Sequence, residues 1–430
     1  MANIMKSKTR IPKAWQVNDL KELIDKIESG SRPKGGANSI GAIPSFGGEN
    51  IGMDGTINYE NVRKVSRAFY LSMPKGHLKS GDVLINKDGA NTGKVGLYRN
   101  DIFKEACINE HIFLLRGERN KITQEFLYYL IFSSDGQKII RKNISGSAQP
   151  GLKTDFIKNF PALLPMSIKE QKRIADILIS IDSVIEKTQT IINQTQTLKK
   201  GLMQELFTHG IPGRHKKFKK TEIGMIPSDW ELAKLKNVLA VPIRNGYSPY
   251  CPECDQGRVI LSLNAVTHEG FNSKGFKLAP YDDPKLSEYI LKHGDLLVSR
   301  SNTRDRVGLA GVYEGDPAEC AYPDLLMRVC VNNKTVSPFW AEQCLLSGFG
   351  RKYFERNARG TSASMVKINR KILEDFLLGI PDREEQQKIL NISKNMQKIF
   401  EIEKSQQEHL IFLKSALMQV LLSGKVRVKI

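Results

Sequence analysis

The stretch 164-LPMSIKEQKRIADILISIDSVIEKTQTIINQTQTLKKGLMQ-204 decides the reading of this chain, because it returns near the end as 380-IPDREEQQKILNISKNMQKIFEIEKSQQEHLIFLKSALMQ-419. In the first copy Ile177, Ile181, Val184, Thr188, Ile191, Thr195, Leu198 and Leu202 alternate spacings of four and three. In the second, Ile392, Met396, Ile399, Glu403, Gln406, Leu410, Leu413 and Leu417 do the same. A pattern kept for this long predicts a coiled-coil seam on each of two long helices, weakened at Thr188, Thr195, Glu403 and Gln406. At 1.5 Å per residue a helix of about 40 residues reaches roughly 60 Å.

Outward from the helices, everything else also recurs. Ile11-Pro12 and Trp15 return as Ile226-Pro227 and Trp230, and Gly81-Asp82 with Val95-Gly96 as Gly294-Asp295 with Val307-Gly308. Gly146 and Lys153 return as Gly360 and Lys367, and Glu170-Gln171 as Glu385-Gln386. The unit is far longer than the roughly 20–50 residues of a solenoid repeat. It is a duplicated domain plus helix, and two like units in one chain favour a pseudo-two-fold axis, about which the helices run antiparallel. The expected fold class is α+β: two globular mixed α/β domains separated by two long antiparallel coiled-coil helices in a pseudo-two-fold tandem repeat.

Inside each globular segment, Val83-Leu84-Ile85 and Leu296-Leu297-Val298 read as strands opened by a Gly-Asp turn. Polar loops follow at residues 86–93 and 299–306, then second strands at 94–98 and 307–313. Further strands are expected at 111–115 and 325–330. Helices start near Thr123 and at Ser337, where Pro338 takes the first helical position. Between the halves, His209-Gly210-Ile211-Pro212-Gly213-Arg214-His215 and the cations behind it read as a solvated linker.

Composition narrows the partners. Sixty-five Lys and Arg against 46 Asp and Glu leave a net charge of +19, which favours a polyanion, nucleic acid before a membrane surface. No apolar run approaches a membrane span, and the N-terminus carries no signal-peptide core. Cysteines 107, 251, 254, 320, 330 and 344 do not match between the repeats, so a disulfide framework is not expected and a reducing cytoplasm is.

Catalytic signatures fail one by one. Asp88-Gly89-Ala90-Asn91-Thr92-Gly93-Lys94 has only three residues between its glycines and Val95 after the lysine, so it is no P-loop. Cys251-Pro252-Glu253-Cys254 is half a zinc site without its second half, with only His268 as a conceivable third ligand. Ser248-Pro249-Tyr250 is one proline short of an amino-methyltransferase motif. What remains is a set of polar and cationic loop residues of the kind that reads base edges and phosphates. In the first half these are Ser31, Arg32, Lys34, Asn50, Asn86, Lys87, Asn91, Thr92 and Lys94. In the second they are Arg244, Asn245, Tyr247, Arg300, Asn302, Thr303, Arg304 and Arg306.

Taken together, the chain resembles the specificity (S) subunit of a type I restriction-modification system. The residues that carry the resemblance are Ile-Pro-x-x-Trp opening each half, the Gly-Asp-aliphatic strand and Gly146-Ser147-Ala148-Gln149-Pro150-Gly151-Leu152. To these belong Leu164-Pro165 leading to Glu170-Gln171-Lys172-Arg173-Ile174, and Phe218-Lys219-Lys220-Thr221-Glu222-Ile223-Gly224 entering the second half. The second half departs at Ser364-Met365-Val366, and its proline-to-glutamate spacing is one residue shorter.

The resemblance implies target recognition domains over residues 1–166 and 226–381, helical regions over 167–209 and 382–430, and a basic linker over 210–225. Each domain would recognise one half of a split, asymmetric site in double-stranded DNA. Two modification (methyltransferase) subunits would dock on the helices, and restriction (motor-nuclease) subunits would join them. S-adenosylmethionine, ATP and Mg would sit on those partners, leaving no cofactor and no active site here. The alternative is a stand-alone DNA-binding or coiled-coil scaffold protein.

Overall fold

A computed structural model describes residues 11–38, 40–99, 102–146, 150–251, 256–279, 283–360 and 365–429. The chain forms two compact units: residues 1–190 with 404–430, and residues 191–403. Among the described residues no helix is long and apolar enough to cross a membrane.

In the first unit, β1 (Trp15–Asp19), β2 (Ile24–Ser29), β3 (Val83–Asn86), β4 (Val95–Leu97), β5 (Ile112–Gly117) and β6 (Pro161–Pro165) frame the globular part. An antiparallel sheet runs β2-β5-β3-β4, and β1 pairs separately with β6. Helices α1 (Gln124–Phe132) and α2 (Ser134–Asn143) cover one face. Strand alternation sends Val83 and Ile85 into the core beneath them, and Leu84 into a second cluster with Phe46, Tyr98 and Ile108. Thr123 and Ser133 cap the two helices, each hydroxyl accepting an amide N–H three residues on.

The second unit repeats this plan with β7 (Glu231–Lys234), β8 (Leu239–Asn245), β9 (Leu296–Ser299), β10 (Ala310–Val312), β11 (Leu326–Val331) and β12 (Leu377–Ile380). Its sheet order is β8-β11-β9-β10, and β7 pairs with β12. In the numbering used here, α3 is the long helix Ile168–His209, α4 is Pro338–Leu346, α5 is Gly348–Asn357 and α6 is Arg383–Leu421. The expected strands and helix starts lie within a few residues of these bounds. The loop after β9, expected to be irregular, instead forms a short ladder of Ser301–Asn302 with Val366–Lys367.

The Gly-Asp pairs have a common job. Gly81 and Gly294 take φ of +92° and +91°, a turn that disfavours other residues. Asp82 and Asp295 close that turn by accepting the N–H of Lys79 and Lys292. Asp82 also takes a two-point contact from Arg116 on β5, and Arg328 on β11 stands 3.6 Å from Asp295.

Glu170 and Glu385, in the first turn of each long helix, are buried and tie each unit together. Glu170 accepts the indole N–H of Trp15 at 3.2 Å and a two-point contact from Arg427 at 2.6 and 2.8 Å. Glu385 accepts Trp230 at 3.2 Å, His215 Nε2 at 2.8 Å and the amide of Ile211 at 3.0 Å. The neighbouring glutamines are fully buried. Gln171 accepts Thr123 N–H and donates to Lys121 and Pro165 carbonyls, and Gln386 does the same with Ser337, Thr335 and Pro381. The recurrent Glu-Gln pair thus joins helix, sheet and domain in both units.

The helix seam departs from the expectation. Along α3 a line of buried or half-buried positions runs through Leu178, Ile181, Ile185, Thr188, Ile192, Thr195, Lys199, Leu202 and Leu206, and Ile177 at its start is half-buried as well. Along α6 the corresponding line runs through Met396, Phe400, Glu403, Gln407, Leu410, Lys414, Leu417 and Leu421, and Ile392 before it is half-buried as well. Ile181, Thr188, Thr195 and Leu202 were placed correctly by periodicity, as were their counterparts on α6. Val184, Ile191, Leu198, Ile399, Gln406 and Leu413 were not: they are exposed, and the residue after each occupies or borders the seam in its place. In the first unit Lys414 pairs with Asp182 at 2.6 Å and Gln407 with Gln189 at 2.8 Å, so one helix number rises as the other falls. In the second unit Lys199 bonds Gln397 in the same antiparallel register.

One buried acid belongs to the second unit alone. Glu342 on α4 accepts Val312 N–H at 2.8 Å, and burial pushes its carboxyl from an ordinary 4.5 up to about 7. The folded state therefore holds this proton more tightly than the unfolded chain. The associated stability is complete below about pH 4.5 and is lost as pH rises to about 7, a change of about 3 kcal/mol. Glu342→Gln keeps an acceptor for Val312, and its unfolding free energy should lack this component of the pH slope. An identical slope in the variant and the parent would contradict the assignment.

Candidate nucleic-acid interface

Strand register gathers the polar loops at one end of each sheet. In the first unit Ser29 pairs with Phe113, Asn86 pairs with Ile112, and Lys87 N–H donates to the His111 carbonyl at 2.9 Å. Residues 31–34, 86–94 and 109–111 therefore share that end. Arg32 lies 3.6 Å from Glu110, His111 Nδ1 meets Asp88 at 2.6 Å, and Lys87 stands over the Phe113 ring. Ser31, Asn91 and Lys94 are half-buried beside them, and Lys34 is exposed. The Thr92 hydroxyl donates to the Gly89 carbonyl at 2.6 Å.

The second unit repeats the arrangement with other residues. Asn245 pairs with Met327, Leu326 with Ser299, and Arg300 N–H donates to the Leu325 carbonyl at 2.8 Å. Residues 244–247, 299–306 and 322–326 meet there. Arg244 stacks 4.3 Å above the Tyr289 ring and binds Glu288 at 3.0 Å. Tyr247 donates to Asp283 at 3.0 Å, a contact that raises its hydroxyl pKa, and carries Lys285 over its ring. Asn302 Oδ1 accepts Thr303 N–H, while Arg304 donates to the Glu355 carbonyl at 2.8 Å. Arg300 and Arg306 are half-buried and Asn245 is exposed.

Two expected readers are interior residues. Asn50 is 6 % exposed; its oxygen accepts Gly47 N–H and its amide donates to Asn58. Asn86 is 2 % exposed and donates to the Asp88 carbonyl. Their amides close their own loops, so neither edge is free for a base.

Sequence reasoning missed the third segment at each sheet end, residues 109–111 and 322–326, because only strand pairing brings it there. It also did not place the glycine-rich segment beside these loops. Gly89 N–H donates to Pro150 and Leu152 N–H to Lys87, while Ile368 N–H donates to Arg300. Residues 147–149 of that segment, the 361–364 stretch and Cys254 of the Cys-x-x-Cys pair lie outside the described residues. Among the described residues no cluster of three or more His, Cys, Asp or Glu could hold a metal ion.

Known proteins resemble this twice-built scaffold. Residues 12–197 match the family described as the type I restriction modification DNA specificity domain. The chain is 29 % identical over 435 residues to a putative type I restriction enzyme MjaX specificity subunit of Methanocaldococcus jannaschii, covering 97 % of this chain and 95 % of that one. It is 27 % identical over 357 residues to the MjaVIII specificity subunit of the same organism, covering 82 % and 80 %. Among solved structures, the S subunit of a type I restriction-modification system from M. genitalium shares the fold at a TM-score of 0.55 and 13 % identity, over 96 % of this chain and 97 % of that one. A chain from a structure of type I R-M complex assembly and conformational transition does so at 0.58 and 16 %, over 97 % and 100 %. Along nearly its whole length the chain is therefore similar to type I restriction-modification specificity subunits.

Proposed function

We propose that each globular domain reads one half of a bipartite, asymmetric site in double-stranded DNA. One observation carries this reading: the same sheet, in the same order, presents loops at the same end twice, with different residues. Asn86-Lys87-Asp88-Gly89 in one domain stands where Ser299-Arg300-Ser301-Asn302 stands in the other. Identical scaffolds with unlike loops recognise two unlike half-sites. The net charge of +19 supports a polyanionic ligand.

The exposed residues Val184, Ile191 and Leu198 on α3, and Ile399, Phe412 and Leu413 on α6, support docking of two modification subunits on the helices. In this reading the chain is non-catalytic and cytoplasmic. S-adenosylmethionine serves the modification subunits, and ATP and Mg serve the restriction subunits.

Arg300→Ala or Arg304→Ala, assayed in the assembled methyltransferase, should disturb only the half-site read by the second domain. Loss of a base contact would relax one position by about 1–3 kcal/mol. Loss of a phosphate contact would weaken all sequences alike and flatten the salt dependence. Equal damage at both half-sites with an unchanged salt slope would contradict the reading.

A further inference from the structure

The reading loop of the second domain rests on α5. Gly308, at φ +73°, lies so close to Phe354 that a Cβ there would come within 2.4 Å of its ring. The first domain has a looser version of this contact, Gly93 at φ +92° beside Ile140 of α2, at 3.2 Å. Packing of a loop glycine on the second helix is therefore common to both domains.

A cationic clamp is added in the second domain only. Arg351 of α5 donates through one terminal nitrogen to the carbonyls of Asp305, at 3.1 Å, and Val307, at 2.7 Å. Those carbonyls bracket Arg306, and Arg304 is tied to the end of the same helix through the Glu355 carbonyl. The position equivalent to Arg351 in the first repeat holds Gln137, which donates back to the Ile131 carbonyl rather than to its loop. Arg351 makes no ion pair among the described residues, and its Nε and other terminal nitrogen are buried without a hydrogen-bond partner. Desolvation lowers its pKa. A half-buried guanidinium held mainly by loop carbonyls is costly for the fold alone. The two N–H groups of that one planar nitrogen point in fixed, diverging directions, which suits the fixing of two carbonyls at once.

We infer that Arg351 is a positioning residue for half-site recognition by the second domain, acting through the conformation of the loop that carries Thr303, Arg304 and Arg306. The inference rests on the proposal that this loop reads DNA. Substitution of Arg351 changes base discrimination without removing a side chain that touches a base.

The test uses the full chain assembled with its modification subunits and a set of DNAs substituted singly in each half-site. Arg351→Gln, the residue found in the first repeat, should lower discrimination in the second-domain half-site about ten-fold and leave the first-domain half-site unchanged. Arg351→Lys keeps the charge and a nitrogen able to donate to both carbonyls but loses the fixed planar orientation of the guanidinium, and should lose roughly three-fold at the same positions. The salt slope should stay at the parental value in the lysine variant, since no phosphate contact is removed. Unchanged discrimination in a folded Arg351→Gln chain would overturn the inference, as would equal loss at both half-sites. If thermal unfolding shows that Arg351→Gln does not fold, unchanged discrimination in Arg351→Lys would overturn it. Arg300→Ala and Arg304→Ala run alongside: silence from both as well would sink DNA reading by this loop, whereas silence from Arg351 variants alone would sink only the positioning role.

Discussion

Glu385→Ala is expected to destabilise the second unit by about 3–5 kcal/mol, because it leaves the buried His215 ring nitrogen, a buried indole N–H and a backbone amide without their partner, at about 1–3 kcal/mol each. His215 is the reason for the size of the effect. Its side chain is 3 % exposed, wedged between Glu385 at 2.8 Å and Asp229 at 3.0 Å, and cannot turn to water without opening the linker. The amide of Ile211 would lose its acceptor as well. Glu170→Ala should cost less, about 1–3 kcal/mol, since Arg427 is 40 % exposed and can be resolvated, leaving mainly the Trp15 indole unsatisfied. Denaturant unfolding of the two variants measures the difference directly. Equal losses, or a cost below about 1 kcal/mol at Glu385, would show that the Glu-Gln pair does not hold the unit together.

A fragment of residues 1–215 is expected to dimerise. Its α3 keeps a full seam from Leu178 to Leu206 but lacks α6, and burying that seam is worth about 25 cal/mol per Å² of apolar surface. A second copy suits the same register. Asp182 and Gln397 are equivalent in the repeat, as are Lys199 and Lys414, so Lys199 of each copy would face Asp182 of the other. That reproduces the Lys414–Asp182 ion pair twice. The complementary fragment, residues 216–430, would place Lys414 against Gln397 and gain no ion pair. Sizing of both fragments by sedimentation should give the tighter dimer for the first half. A monomeric first half, or a tighter second half, would contradict the register.

The duplication was fully legible in the sequence, since repetition needs no knowledge of contacts. The phase of the heptad was half legible. Val184 is followed by Ile185, and Ile191 by Ile192, so periodicity alone cannot choose which of two adjacent apolar residues meets the opposite helix. At the next turn the seam position is Lys199 and the exposed one is Leu198, an inversion that hydrophobicity predicts the wrong way round. Asn50 and Asn86 misled for a different reason: an amide suits a base edge and a backbone group equally well, and only the folded loop decides. The Glu-Gln pair was visible as a motif, but its chemistry was not. Trp15 and Glu170 are 155 residues apart, and Arg427 lies farther still, at 257.

Methylome sequencing tests the central claim, that the chain contains two equivalent units each reading its own half-site. A host expressing the modification subunits with the full chain should show methylation at a bipartite asymmetric site. The same host with residues 1–215 in its place should show methylation at a palindrome built from one parental half-site and its inverted copy. Methylation at the parental asymmetric site by the fragment would contradict the account, because one recognition domain would then be reading both halves.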